Sequence, residues 1–266
     1  MLARNLAIGL FAAAAFAGSA YAADLYNLPP EAPAYVPGPE AWSWTGIYFG
    51  GNVGYAWATK SWWAGDDAEN ISEGAFLGSG TGSGFIAGAQ IGANWQIGSI
   101  VLGLQGDIDW ANIGVNAANP DSPVSGNCWG SGADQTAECG VHVDWLANLT
   151  ARLGFTAGPM TLLYVKGGLA YAHDTYTVTN LTGGGACDPP GPDYDPVSQG
   201  RWGWTAGVGA EHAFSQHVTG FVEYNYANLG TQGVHFADTG NGCSPAWTAQ
   251  VRQTVQTVKV GINLKY

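Results

Sequence analysis

The chain has 266 residues, of which only 11% are charged, and its formal net charge is −12. Soluble domains carry about 25% charged residues, so this composition argues against an ordinary soluble protein. An acidic chain is repelled by phosphate, which argues against nucleic acid as a partner. The 41 glycines and the 12% of aromatic residues favour a protein whose outer surface faces lipid.

The N-terminus is typical of a secretory signal peptide over residues 1–22. Arg4 supplies the positive charge, an apolar stretch runs from Leu6 to Ala17, and Ala20-Tyr21-Ala22 is a cleavage site. The apolar stretch is too short to span a bilayer. Residues 23–43 hold five prolines and predict an extended linker. This linker is either a periplasmic tether or a plain spacer.

Residues 44–266 alternate between apolar and polar side chains. The final strand is the clearest case, because residues 258, 260, 262, 264 and 266 are apolar or aromatic, whereas the residues between them are polar or glycine. A period of two places these two sets on opposite faces of a strand. We predict strands at about 45–58, 83–97, 100–111, 141–155, 161–171, 202–214, 218–228 and 257–266.

The connections between these strands alternate in length. Gly98-Ser99, Gly158-Pro159 and Ser215-Gln216 predict tight turns. Longer polar segments lie at about 59–82, 112–140, 174–200 and 230–250. Short turns at one rim and long loops at the other indicate an all-β fold: an eight-stranded antiparallel transmembrane β-barrel with short periplasmic turns and long extracellular loops. The sheet must close, because lipid cannot satisfy a free sheet edge.

Aromatic residues cluster near the predicted strand ends on the apolar face. One set lies toward the long loops: Trp57, Trp110, Trp145, Tyr171, Trp204 and Tyr226. A second set lies toward the short turns: Trp95, Phe155, Phe214 and Tyr266. Two such rings are typical of membrane interfaces. The alternative is a soluble lipocalin-like barrel, which needs an apolar inside and a polar outside.

Several segments together resemble a known family. They are Trp44–Tyr55, Gly88–Gly92, Gly106–Trp110, Asp144–Gly154, Gly203–Glu211, Glu223–Tyr226 and Val258–Tyr266. In order, they resemble the small bacterial outer-membrane β-barrel proteins called outer membrane immunogenic proteins or porin family proteins. The resemblance implies an outer-membrane location and assembly by the barrel-assembly machinery through the C-terminal strand. The family usually ends in Phe, whereas this chain ends in Tyr266.

Charged residues on the polar faces of the strands form the first candidate site. We predict a lumen ion-pair network of seven residues: Asp107, Asp144, Arg152, Lys166, Glu211, Glu223 and Lys259. Asp109 and Lys265 are further candidates on the same faces. Eight strands leave an interior just wide enough for side chains, which favours a filled lumen over a catalytic acid pair or an ion pathway.

Four cysteines form the second candidate site. Cys128, Cys139, Cys187 and Cys243 fall in predicted long loops, which face an oxidising compartment. Three pairings are possible, and loop proximity favours Cys128–Cys139 with Cys187–Cys243. No close His or Cys spacing indicates a metal site, and no hydrolase or phosphate-binding motif occurs. We therefore predict neither a cofactor nor an enzyme.

The predicted loops carry twelve acidic residues, Asp174 among them, against Lys60 and Arg201. Such a rim has three interpretations: contact with lipopolysaccharide through divalent cations, recognition of a host or other surface, or a plain solvated acidic surface. We predict a structural role in outer-membrane integrity. The alternatives are a surface receptor or adhesin, binding haem or a host surface through the loops, and a narrow porin.

Overall fold

The alternating segments form eight long strands and one very short strand in a computed structural model. The described residues are 42–65, 72–117, 137–180, 191–192, 195–237 and 247–266. The strands are β1 (Gly46–Ala64), β2 (Phe76–Ile97), β3 (Ile100–Ala117), β4 (Ala137–Thr156), β5 (Thr161–Asn180), β6 (Gly191–Pro192), β7 (Val197–Ala213), β8 (Val218–Phe236) and β9 (Trp247–Lys265). The predicted signal peptide and nearly all of the predicted linker lie outside the described residues.

The eight long strands close into a barrel. Their order around the wall is β4, β3, β2, β1, β9, β8, β7, β5, and β5 pairs again with β4. Every pair is antiparallel, and β6 adds only two residues beside the end of β5. The predicted fold class is confirmed. No helix of the described residues is long and apolar enough to cross a membrane.

The tight turns lie where the sequence predicts them. Ile97 and Ile100 pair across Gly98-Ser99, and Gly98 adopts a φ of 62°. Gly158 adopts a φ of 82° in the second turn. Positive φ values favour glycine, because other residues place a Cβ against the backbone there. These glycines therefore let consecutive strands pair immediately and fix the register of the barrel.

A continuous apolar belt surrounds the outer wall. On β1 the outward residues Ile47, Val53 and Trp57 are exposed, and corresponding residues on the other seven long strands are exposed too. From Ile47 to Trp57 the strand rises about 33 Å, which at the usual tilt gives a belt about 25 Å tall. That height matches the lipid-facing band of an outer-membrane barrel. The membrane-spanning part of β1 thus ends at Trp57.

The strands continue well beyond this belt, which corrects the predicted loop bounds. Most of 59–64, 76–82, 112–117, 137–140 and 174–180 is strand rather than loop. In this part polar residues such as Thr59 and Ser61 lie outward. The inward face carries both the charged Lys60 and the fully buried Trp62. Above the belt the wall faces water, so its outer face can be polar. The upper aromatic ring therefore encircles the middle of the barrel rather than its rim.

Asp144 lies on the outer wall, so its predicted place in the lumen is wrong. The β4–β5 register shifts between Val143 and Trp145, which makes Asp144 the extra residue of a bulge. Val143 is fully buried inside, whereas Trp145 faces outward beside Tyr171. A bulge resets the alternation, so the parity counted from the lower part of β4 does not apply above it.

Candidate functional site

The lumen is packed in five layers, and strand β5 contributes an inward residue to each of them. Its inward residues run from Leu162 in a basal apolar cluster, through Lys166 and Ala170, to Asp174 and then Val178 in an apolar cluster at the top. We call the layer around Lys166 the lower ion layer and the layer around Asp174 the upper ion layer. The middle layer between them is apolar.

The lower ion layer contains a chain of alternating charges. Lys166 Nζ lies 2.7 Å from Glu223 Oε1 and 3.4 Å from Asp107 Oδ1. Lys259 Nζ lies 3.1 Å from Asp107 Oδ2 and 2.9 Å from Asp109 Oδ2. All five side chains are buried. Because β3 neighbours neither β5 nor β9, the contacts of Asp107 cross the lumen instead of following the wall.

Arg152 forms a second unit in the lower ion layer. Its Nη2 donates to Glu211 Oε2 at 2.8 Å, and its Nη1 donates to the Tyr48 hydroxyl at 2.6 Å. The guanidinium also lies 3.8 Å from the centre of the Tyr164 ring. Glu211 accepts further hydrogen bonds from Thr219 and Asn263. Arg152 therefore links β1, β4, β5 and β7 across the barrel axis.

The upper ion layer was missed by the sequence analysis, which counted Lys60, Asp174 and Arg201 among the loop charges. Lys60 Nζ lies 3.1 Å from Asp174 Oδ1, and Arg201 Nε lies 3.5 Å from Asp174 Oδ2. Gln253 and Tyr176 donate to the same carboxylate. All five residues are buried inside the barrel above the belt. Continued alternation along β1, with Ala58, Lys60 and Trp62 on one face, is the signal that could have found this layer.

The pKa of Lys60 is lowered from 10.5 to about 7, mainly because burial penalises the ammonium. The Asp174 carboxylate raises the pKa, whereas the positive charge of Arg201 lowers it further. One carboxylate is thus shared between two cations. The upper ion layer therefore has an excess of positive charge when both cations are protonated.

The two ion layers carry opposite excess charges. With every group ionised, the lower layer has four carboxylates and three cations, whereas the upper layer has one carboxylate and two cations. The five described lumen carboxylates therefore balance the five described lumen cations only when the layers are taken together. The apolar middle layer, which includes Ala58, Ile113 and Val255, separates them.

The structure brings six of the seven predicted network residues into the lower ion layer: Asp107, Arg152, Lys166, Glu211, Glu223 and Lys259. Asp144 is excluded, as described above. The further candidate Lys265 is not in the layer either, because it lies at the periplasmic end with its Nζ 5.1 Å from the centre of the Trp42 ring. Lys265 is the last residue of β9 and therefore lies below the lower ion layer.

Asp144 instead joins a polar cluster on the outer wall above the belt. His142 and His173 contact its carboxylate at 3.0 and 3.1 Å, and Thr175 donates to it at 3.0 Å. Desolvation raises the pKa of Asp144, but the hydrogen bonds from His142, Thr175 and His173 outweigh it and hold the pKa below its ordinary value. The Nδ1 atoms of His142 and His173 are the atoms that contact the carboxylate. The described part of the chain holds no cluster that could bind a metal ion.

Cys139 is the one cysteine within the described residues. It lies in β4 rather than in a loop, and its side chain is buried in the top apolar cluster beside residues such as Val141 and Val178. Cys128, Cys187 and Cys243 lie outside the described residues. The pairing of Cys128 with Cys139 and of Cys187 with Cys243 stays a prediction.

Comparison with known proteins agrees with this architecture. Residues 6–264 match the family described as the outer membrane protein beta-barrel domain. The chain is 32% identical over 259 residues to the 31 kDa outer-membrane immunogenic protein of Brucella melitensis, covering 96% of each chain. It is 27% identical over 263 residues to the 25 kDa outer-membrane immunogenic protein of Brucella abortus, covering 99% of this chain and 98% of the relative.

Solved structures of outer-membrane barrels are also similar at low identity. The outer membrane protein OprG from Pseudomonas aeruginosa matches with a TM-score of 0.46 and 11% identity, covering 85% of this chain and 98% of OprG. The attachment invasion locus protein Ail of Yersinia pestis matches with a TM-score of 0.37 and 10% identity, covering 84% of this chain and 99% of Ail. With its closed barrel, apolar belt and full-length relatives, the chain belongs to the outer-membrane β-barrel family of bacterial surface proteins and resides in the cell outer membrane.

Proposed function

We propose that this protein is a non-enzymatic structural barrel that supports outer-membrane integrity and whose lumen is closed to solutes. The observation that carries the proposal is the cross-lumen chain of charges from Glu223 through Lys166, Asp107 and Lys259 to Asp109. Buried charges in a narrow space are stable only when paired. The ion pairs therefore favour a lumen filled by side chains over a lumen filled by water.

The apolar layers support the same proposal. Trp62 and Phe236 stack inside the barrel above the belt, with ring centres 6.3 Å apart, and the middle layer packs around Ile113. An ion crossing these layers would lose its hydration without gaining a polar partner, which costs several kcal/mol or more. A general diffusion porin uses about 16 to 18 strands and keeps an aqueous lumen, whereas this barrel has eight long strands.

Single-channel recording with refolded full-length barrel in a planar bilayer tests the closed lumen. We expect no stable conductance from wild type, because the chain of charges and the apolar layers together occupy the lumen. A general porin refolded in the same way is the positive control. A large, reproducible conductance from monomers would refute the closed lumen and establish the narrow-porin alternative.

The structural role is tested in cells. Deleting the gene is expected to raise sensitivity to detergent and to large antibiotics, and the wild-type gene on a plasmid is expected to restore resistance. Unchanged sensitivity in the deletion strain would contradict the role in integrity. Receptor or adhesin activity, together with lipopolysaccharide binding through an acidic rim, depends on loop residues that mostly lie outside the described ranges, so both stay predictions.

A further inference from the structure

The upper ion layer has more buried hydrogen-bond donors than acceptors. Lys60 and Arg201 are both at most 1% exposed, and Asp174 is the one carboxylate among the described residues that they share. Arg201 Nη1 donates to the carbonyl of Val251 at 3.2 Å. Lys60 Nζ and Arg201 Nε and Nη2 make no hydrogen bond of acceptable geometry to any described residue. Gln253 Oε1 is a buried acceptor of the same layer without a donor, so three unpartnered donor atoms stand against one unpartnered acceptor atom. Trp62 Nε1, on the same inward face of β1, is a further buried donor without an acceptor.

Tyr176 relieves only a part of this excess. Its ring centre lies 4.9 Å from Lys60 Nζ and 5.8 Å from Arg201 Cζ, so each cation gains a modest cation–π attraction. Its hydroxyl donates to Asp174 and thereby occupies carboxylate capacity. The Tyr176 hydroxyl oxygen can still accept, but within the described residues it receives no hydrogen bond from Lys60 or Arg201.

The upper ion layer lies between two clusters of buried apolar side chains. Fully buried apolar residues lie above it, among them Trp62 and Val251, and others lie below it, among them Ala58 and Ala172. An uncompensated charge in such surroundings costs several kcal/mol. Within the described residues, the layer therefore has one positive charge more than its carboxylate balances when Lys60 and Arg201 are both protonated.

Three species could relieve the layer, and they differ in what they satisfy. Loss of a proton from Lys60 removes the excess charge and gives Nζ one lone pair, which can accept from only one of the two unpartnered Arg201 nitrogens. A water molecule accepts hydrogen bonds but does not balance the charge. A small anion does both at once, because it accepts from Lys60 and Arg201 together and makes the layer neutral.

We propose that the upper ion layer is a binding site for one small monovalent inorganic anion of the halide type, held by Lys60 and Arg201. The size limit follows from the barrel, because eight strands enclose little more than their own side chains and this layer already holds Lys60, Arg201, Asp174, Tyr176 and Gln253. Asp174 fixes the two cations in place but does not neutralise both. The site is structural, and it is independent of whether the lumen conducts.

Anomalous scattering from bromide tests the site directly. Crystals of the refolded full-length barrel grown in sodium bromide are expected to show one anomalous peak inside the barrel, within hydrogen-bonding reach of Lys60 Nζ and the Arg201 guanidinium. The Lys60→Met variant is expected to lose that peak. A wild-type crystal without an internal peak, or with bromide only on the outer wall, would overturn the proposal and indicate a neutral Lys60.

A solution measurement gives an independent readout. Unfolding of the refolded barrel is followed in sodium chloride and in sodium gluconate at equal ionic strength, since gluconate is too large for the layer. At a chloride concentration ten times the Kd, the unfolding equilibrium constant is expected to fall about tenfold relative to gluconate. Lys60→Met is expected to abolish the difference, and Lys265→Met, at the periplasmic end, to retain it. Equal stability of wild type in both salts would contradict the proposal.

Discussion

Lys259 on β9 lies 3.1 Å from Asp107 on β3, although two strands separate them along the barrel wall. Asp107 also contacts Lys166, so one carboxylate joins two lysines across the lumen, whereas Lys259 is the one lysine among the described residues that contacts Asp109. The lower ion layer has one carboxylate in excess. The two aspartates should therefore differ in their importance for stability.

Asp107→Asn is expected to destabilise the barrel by about 3 kcal/mol, because it leaves two buried lysines short of a partner. Asp109→Asn is the matched control and is expected to cost less than half as much, because it removes the excess carboxylate of the layer. Urea unfolding of both variants, refolded in detergent and followed by gel mobility, measures the difference. Equal losses in the two variants would refute the charge imbalance.

Three glycines on the inner wall each face an aromatic ring on the adjacent strand at the directly paired position. The pairs are Tyr48 with Gly92, Tyr164 with Gly209, and Phe221 with Gly261. A Cβ at any of the three glycines would overlap the ring. The absence of a side chain lets the ring lie flat on the neighbouring strand, which in the case of Tyr164 positions it against Arg152.

Gly209→Ala is expected to destabilise the barrel by about 1–3 kcal/mol, because the added methyl group displaces the Tyr164 ring from Arg152. Gly106→Ala is the control, since a Cβ there meets its nearest atom only at 4.0 Å. Thermal unfolding compares the two variants. The interpretation fails if Gly106→Ala proves as harmful as Gly209→Ala.

The lowered pKa of Lys60 predicts a pH dependence of stability in buffers free of small anions. Between about pH 7 and pH 10 the unfolded chain holds a proton that the folded barrel has released, so stability should rise with pH in this window. The groups that act on Lys60 electrostatically are Asp174, Arg201 and Asp144. The difference in unfolding free energy between wild type and Lys60→Met, measured from pH 6 to pH 10, isolates this effect. A difference that does not change with pH would contradict a buried Lys60 with a lowered pKa.

Tyr266 ends the chain on the outer wall, where it is 68% exposed and stacks on Phe49 with ring centres 5.8 Å apart. If the assembly machinery recognises this terminal ring, Tyr266→Phe should assemble as wild type does, and Tyr266→Ala should accumulate unassembled. Phe49→Ala, which removes only the stacking partner, is the control. The heat-modifiable fraction in isolated outer membranes is the measurement. Normal assembly of Tyr266→Ala would exclude the ring as the recognised feature.

The sequence by itself determined the barrel within the lipid belt. Lipid requires an apolar outer face, and a narrow lumen tolerates polar side chains only if they pair. The period of two therefore predicts, without any knowledge of the fold, that Val260 points outward and Lys259 inward. The turns at Gly98 and Gly158 followed from local backbone chemistry. Six of the seven predicted network residues lie in the lower ion layer for the same reason.

Only the tertiary structure decided what happens above the belt. There the strands continue past the lipid belt, and Lys60, Asp174 and Arg201, which the sequence analysis placed in loops, meet inside the barrel. The bulge at Asp144 exchanges the inward and outward positions along β4, and the local sequence pattern does not predict this bulge. Which cation meets which carboxylate was also beyond the sequence, because Lys259 and Asp107 are 152 residues apart and become neighbours only when the sheet closes.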